Sequence, residues 1–311
     1  MSEVIIDKKP LLSIVTPVYN REDTIARCIE SVLAQDFIDY EFIIIDDGSS
    51  DETIEIILRY LPNEKLKFVR LPENRGVNFA RNRGIETANG EFIAFLDSDD
   101  YFVIGAFDCV ANSIIGRVDC KHFLFDITYN ADNCMNKFHS EGKFHTYNNW
   151  LSGQVNGDFL HVVRSDILKE HHFHEDLTSY EHVNWCRIFK KTEPQYHISI
   201  PLVIVEPMRG DSLSRKYILN NMASVLSEYN ANIKFLNLYF DDLAENNINC
   251  IKLQIKTLLL GVIAGTYEQN KILIARSFGK YSLVFSIINN PLCKKVLWLG
   301  LTGKAFLRKH K

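Results

Sequence analysis

Four times within the first hundred residues a short apolar run gives way to a helical pattern, and nothing else in the 311-residue chain narrows its fold so far. Residues 11–18, Leu-Leu-Ser-Ile-Val-Thr-Pro-Val, read as the first strand. Pro17 has no N–H to give to a ladder and is expected to mark that strand's end. Ile25, Cys28, Ile29, Val32 and Leu33 recur at helical spacing. Residues 41–46, with Phe42-Ile43-Ile44-Ile45 at their centre, form a second buried strand. Ser49 and Glu52 have the spacing of a capping box for the helix carrying Ile54, Ile57 and Leu58. A third strand spans 67–71, and a helix from about Val77 to Ala88 stops at Asn89-Gly90. The fourth strand occupies Glu91 to Leu96. Alternation of this kind specifies a parallel sheet with right-handed crossovers and helices on both faces.

In such sheets ligands bind beyond the carboxyl ends of the strands. The unusual polar residues of this chain collect there: Tyr19-Asn20, Asp46-Asp47 and Asp97-Ser98-Asp99-Asp100. Three carboxylates within four positions repel one another unless a cation lies among them. Oxygen ligands in an Asp-x-Asp pattern suit a hard divalent ion such as Mn2+ or Mg2+, which also takes phosphate oxygens. A polar turn capping a helix accounts equally well for the Asp and Ser residues taken alone. Three strand ends carrying such groups together point to a site.

Ser13-Ile-Val-Thr-Pro-Val-Tyr-Asn20, Ile45-Asp-Asp-Gly-Ser49, Asn74-Arg-Gly76 with Ala80-Arg-Asn82, and Phe95-Leu-Asp-Ser-Asp-Asp100 occur in this order. Together they resemble the family 2 inverting glycosyltransferases, sugar-nucleotide enzymes with a GT-A fold. The resemblance implies that Pro17, Tyr19 and Asp47 contact the base and ribose of the donor. It places Arg75 and Arg81 near the nucleotide, although a solvated charge or a salt bridge explains either arginine as well. It sets Asp97 against the ribose, sugar or metal, and Asp99 on the metal with Asp100 as a substitute.

Between Tyr101 and Asn149 only pieces such as Phe123-Leu-Phe-Asp-Ile127 read as strands. Phe159-Leu-His-Val-Val163 followed by Arg164-Ser165 resembles the family's returning strand and helix. His171, His172 and His174 precede Glu175-Asp176, and imidazole with carboxylate can share a transition metal. On a polar loop these groups are expected to be solvated instead. The segment Phe173-His-Glu-Asp-Leu177 resembles the stretch before the family's catalytic Glu-Asp pair. The matching pair here is Glu181-His182, with Trp185 and Arg187 following. A histidine thus stands where the resemblance places an aspartate acting as general base. Pro201 to Glu206 reads as a last strand, and Arg209-Gly-Asp-Ser-Leu-Ser214 resembles the loop that closes over the pyrophosphate. Asp211 is the protein group offered there for a third metal ligand.

The chain therefore divides into a GT-A type catalytic domain, residues 1–215, and a helical C-terminal region, residues 216–311. In the latter Val225, Tyr229, Ile233, Leu236 and Phe240 follow roughly helical spacing, and 253–263 is a second apolar helix. The tail from Cys293 mixes Trp298, Leu299 and Phe306 with six Lys and Arg residues. That composition fits a helix on an anionic membrane surface, or a docking helix. The formal charge of −4 gives no overall attraction to nucleic acid. Seven scattered cysteines without a Cys-x-x-Cys pair fit reduced thiols. With a polar start and no apolar run of spanning length, a cytoplasmic protein is expected, peripheral on the inner face of the membrane if the tail binds lipid. The expected activity is transfer of a sugar from a nucleotide donor, UDP-linked by preference, to a hydroxyl of a glycan or lipid-linked acceptor, in bacterial surface polysaccharide synthesis. The rivals are a related subunit that only binds nucleotide or a partner, and a sugar nucleotidyltransferase. The latter needs a Gly-rich, basic loop after the first strand, and Pro17-Val-Tyr-Asn-Arg21 supplies none.

Overall fold

A computed structural model describes residues 9–130, 141–177, 180–206, 222–243 and 248–266. They fall into two compact units. The first is drawn from Met1–Trp150, Val155–Thr178 and Asn184–Pro207, and the second from Leu151–Gln154, Ser179–Val183 and Met208–Lys311.

The first unit opens with β1 (Leu12–Val18), α1 (Ile25–Leu33), β2 (Tyr40–Asp46), α2 (Thr53–Leu58), β3 (Leu66–Arg70), α3 (Val77–Thr87) and β4 (Phe92–Phe95). These four strands lie in the order β3-β2-β1-β4, all parallel. Every residue of β1 and β2 is buried, as near-continuous apolar strands covered on both faces require. On one face Leu12, Ile14, Phe42 and Ile44 join a core with Ile25, Cys28, Ile29 and Val32 of α1. On the other, α3 lies so close that a Cβ at Gly84 would stand 2.2 Å from Val15 Cγ1. Only glycine permits that approach.

Pro17 sits one residue before the end of β1, opposite Ile45 of β2. Val15 O accepts from Leu96 N on the β4 side, and Val18 O accepts from Asp47 N on the β2 side. Successive residues of a parallel strand bond to opposite neighbours. Pro17 thus faces the β4 side, where pairing has ended at Val15, and its missing N–H removes no ladder bond.

The capping box expected at Ser49 and Glu52 is not formed. Helix α2 starts at Thr53 with no side-chain cap, because Ser49 is engaged elsewhere: its N–H bonds the Asp46 carboxylate and its Oγ accepts from Asn20 N.

The chain continues with β5 (Tyr101–Phe102), α4 (Ala106–Ile115), β6 (His122–Thr128), β7 (Lys143–His145), α5 (Tyr147–Leu151), β8 (Phe159–Arg164), α6 (Ser165–Glu170), α7 (His182–Thr192) and β9 (Gln195–Ile204), all in the first unit except Leu151 of α5 and His182 and Val183 of α7. They extend the sheet to β3-β2-β1-β4-β8-β6-β9-β5, with β7 on β9. β8 runs antiparallel between β4 and β6, so this half of the sheet is mixed. β9 begins at Gln195, six positions before the expected start at Pro201. Its first half, Gln195-Tyr196-His197, is buried although two of the three residues are polar, and polar residues hide a strand from a reading based on apolar runs.

In the second unit, α8 (Met222–Tyr239) and α9 (Ile248–Ala264) pack Val225 and Tyr229 against Leu258 and Leu260. An ion pair joins Lys256 to Glu228. Among the described residues no helix is long and apolar enough to cross a membrane. The loop 209–214 with Asp211, and the basic tail from 293, lie outside the described residues.

Candidate active site

The loops after β1, β2 and β4 meet at one edge of the sheet because those strands are adjacent and parallel. The first two are stapled together. Asn20, with a left-handed φ of 49°, donates its N–H to Ser49 Oγ at 2.9 Å and accepts Ser50 N–H on Oδ1 at 2.9 Å. Arg21 N–H donates to Thr53 Oγ1 at 2.7 Å. Tyr19 projects from this loop with 41% of its surface exposed. Gly48 turns at φ 77° against the backbone of Glu73 and Asn74, where a Cβ would meet Glu73 C at 2.8 Å.

Asp47 is buried, and both its oxygens are taken by backbone: Oδ1 accepts from Arg75 N at 3.0 Å and Oδ2 from Gly76 N at 2.7 Å. Desolvation raises its pKa above the usual carboxylate value despite these bonds. The residue therefore fixes the 75–76 turn as well as facing the strand-end edge. The Arg75 guanidinium lies 3.6 Å from the centre of the Phe79 ring and 3.9 Å from Glu175 Oε2, half exposed.

After β4, the four polar residues take different roles. Asp97, with its side chain 52% exposed, accepts from Arg81 Nη2 at 3.0 Å, and Arg81 itself is almost wholly buried. The salt bridge weighed for Arg81 from sequence is thus made, and made to a predicted site residue. Asp99 stands 3.9 Å from Arg21 Nε. Its carbonyl accepts from Arg27 Nη2 at 2.9 Å, and Arg27 also pairs with Glu206. Asp100 turns its Oδ1 to Glu206 N–H at 3.1 Å. Burial, then the charges of Asp97 and Asp99, push its carboxyl up to about 8. Sequence reasoning placed Asp46 at the strand-end edge without a role and missed Arg21 and Arg27. Arg21 was legible as a polar residue flanking a strand end; Arg27 lies on the helix after β1, and only packing brings it to the β4 loop.

The donor chemistry of this edge fits a hard divalent cation. Asp97 and Asp99 are partly exposed carboxylates on one turn, beside the carboxyl of Asp100. Among the described residues no group of three His, Cys, Asp or Glu side chains could enclose a metal. The arrangement suits an ion that takes one or two protein carboxylates and completes its shell with phosphate and water. In the histidine run, His172 gives its carbonyl to Arg187, and the backbone of His174 is bonded by Asn78 and Asn184. A cavity of about 420 Å³ lined by Lys9, Gly90, Arg164 and Lys169 lies at the opposite, amino-terminal end of β4 and takes no part in this site.

Glu181 and His182 belong to the second unit, and His182 opens α7. The His182 ring lies 5.5 Å from Phe235 and 6.2 Å from Tyr180. Desolvation, then the Lys256 charge, push its pKa down to about 4. The residue is exposed to solvent, which screens both causes and leaves a downward shift.

A sheet with four parallel leading strands places its ligand-binding loops beyond the carboxyl ends of those strands, which is where the acidic loops of this chain lie. Residues 13–114 match the family model described as Glycosyl transferase family 2. That match covers residues 13–114 of 311, and the fold is of the GT-A type. Over 214 residues it is 28% identical to GalNAc(5)-diNAcBac-PP-undecaprenol beta-1,3-glucosyltransferase of Campylobacter jejuni, covering 66% of this chain and 67% of that protein. Over 100 residues it is 43% identical to the succinoglycan biosynthesis protein ExoO of Rhizobium meliloti, covering 32% of this chain and only 28% of the relative's length. In three dimensions it resembles residues 1–349 of S. aureus TarS in complex with UDP-GlcNAc. The TM-score is 0.64 at 18% identity, over 94% of this chain and 92% of that one. It also resembles the mannosyltransferase PcManGT of Pyrobaculum calidifontis, in complex with GDP-Man and Mn2+, with a TM-score of 0.53 at 16% identity over 97% and 89% of the two chains.

Proposed function

We propose that this chain is an inverting, divalent-metal-dependent glycosyltransferase that moves a sugar from a UDP-linked donor to a hydroxyl of a glycan or lipid-linked saccharide. Bacterial surface polysaccharide synthesis at the cytoplasmic face of the membrane is the setting that fits its relatives. The observation that carries the reading is the edge formed by three adjacent strand ends, where Asp47, Asp97 and Asp99 stand on loops joined by Asn20, Ser49, Arg21 and Arg81.

Tyr19, following Pro17, offers an exposed ring to the base of the nucleotide, and Asp47 with the turn at Arg75 bounds the ribose side. Asp97 and Asp99 would hold a Mn2+ or Mg2+ ion, which when bound neutralises charge on a diphosphate leaving group. Arg75, half exposed, adds a cation that can move to a phosphate without leaving the Phe79 ring. Deprotonation of the acceptor hydroxyl falls to His182, with Glu181 orienting the acceptor or the imidazole. A pKa lowered from the ordinary histidine value leaves the ring neutral, and able to take a proton, at neutral pH. A carboxylate in that position would be the alternative base, and the presence of histidine also motivates the reading of a subunit that binds nucleotide without transferring sugar.

Calorimetry with UDP, Mn2+ and EDTA tests the donor site, and turnover of UDP-sugars with undecaprenyl-linked acceptors separates enzyme from binding subunit. Binding should need the cation and vanish in Asp99→Ala. UDP affinity that is the same with EDTA as with Mn2+ would remove the metal from this account.

A further inference from the structure

Helix α3 places asparagine at two fully buried positions. Asn78 and Asn82 are each 1% exposed and lie four residues apart, hence on one face. Both reach the segment after α6. Asn82 Oδ1 accepts Phe173 N–H at 2.8 Å, and its Nδ2 donates to Phe173 O at 2.9 Å and to Glu175 Oε1 at 2.9 Å. Asn78 Nδ2 donates to His174 O at 3.0 Å and also to Leu177 O. From α7, Asn184 Oδ1 accepts His174 N–H at 2.8 Å, across ten positions of chain. The stretch entered at His174 and left at Asn184 carries Glu181 and His182. Its two ends are therefore tied to each other by Asn184, and its entry is tied to α3 by Asn78 and Asn82.

Satisfying the backbone of an irregular segment explains these asparagines in part. It does not explain why amides were used where they remain incompletely paired. Asn78 Oδ1 and Asn184 Nδ2 are both buried with no hydrogen-bond partner among the described residues, and the bonds already made fix which amide atom points where. A buried unpaired donor and acceptor lower stability. Such costs are kept where geometry serves function.

We infer that Asn78, Asn82 and Asn184 are positioning residues for sugar transfer, which hold both ends of the stretch carrying Glu181 and His182 and act only through it. The inference rests on the proposed role of that pair. Donor binding uses the ends of β1, β2 and β4; Asn82 reaches that edge through Glu175 and Arg75, whereas the Asn184 side chain, among the described residues, bonds only the backbone of His174.

Asn184→Ala removes the acceptor of His174 N–H while leaving every strand-end residue in place. Two readouts on the full chain decide the matter. In steady-state transfer, kcat should fall on the order of 100-fold, as misplacement of a base by about an ångström can produce, with the UDP dissociation constant within about twofold of wild type. Asn184→Asp, which keeps the accepting oxygen, should recover a substantial part of kcat. In hydrogen exchange, amides at 174–177 and 180–183 should exchange faster, while β1, β2 and β4 keep their protection. If Asn184→Ala fails to fold, Asn78→Ser is read by the same measurements. Unchanged kcat, equal losses of kcat and UDP affinity, or unchanged exchange at 174–177 and 180–183 would each overturn the inference. A wild-type protein with no transfer activity would overturn the proposed function instead, and the exchange measurement would still decide whether the neck exists.

Discussion

Asp100 offers the sharpest test of the charge arrangement after β4. Its carboxyl is pushed from 3.8 to about 8, first by burial and then by Asp97 and Asp99, while Glu206 N–H and Arg27 oppose the rise. Between pH 4 and 8 the folded chain therefore keeps a proton that the unfolded chain has released. Stability from this group is full below that window and falls as pH rises through it. With complete burial, the penalty at pH 7 would be on the order of 4 kcal/mol. Asp100 is only partly shielded and titrates together with its two neighbours, which brings the expected value to about 1–3 kcal/mol. Asp100→Asn keeps an oxygen for Glu206 N–H, now at 3.1 Å, and carries no charge. Urea unfolding at about pH 5, 6.5 and 8 is the assay. The wild type should lose stability as pH rises. The variant should be more stable at pH 7 by the stated amount and show a flatter profile. Saturating Mn2+ should flatten the wild-type profile as well, since a cation at Asp97 and Asp99 lowers the cost of ionising Asp100. A variant with the wild-type slope and no gain at pH 7 refutes the reasoning.

Asp47→Ala should both weaken UDP binding by about tenfold or more and lower the melting temperature, because two backbone N–H groups lose a charged acceptor worth about 1.5–3 kcal/mol per bond; calorimetry and thermal melting read the two effects. Unaltered melting would show that the Arg75–Gly76 turn does not depend on it. His182→Ala should abolish most turnover at unchanged UDP affinity, His182→Asp should restore part of it, and Glu181→Gln should be milder. An active His182→Ala with a dead Glu181→Gln reverses the roles. Because the His182 pKa is lowered, the acidic limb of the kcat profile should fall below the ordinary histidine value of 6.5, and a limb above it would remove His182 as the base.

Much of the donor half was legible in the chain itself. Apolar runs such as Phe42-Ile43-Ile44-Ile45, with helix patterns between them, determine buried parallel strands, because no other element hides so many consecutive apolar side chains. Once the strands are parallel, their carboxyl ends share an edge, so Asp47, Asp97 and Asp99 could be grouped without coordinates. Local sequence could not decide which partner each polar group takes. Ser49 reads as a cap, yet serves Asn20 and Asp46; Arg81 reads equally as a nucleotide contact, a solvated charge or a salt-bridge partner, and only the fold buries it on Asp97. Those choices depend on side chains distant in sequence. Nor could periodicity find the buried polar half of β9, or the asparagines that hold the 172–177 segment, since polar residues inside a fold are stable only through bonds that tertiary structure supplies. The sequence determined where the ligand edge lies, and the tertiary structure decided which of its charges are already paired.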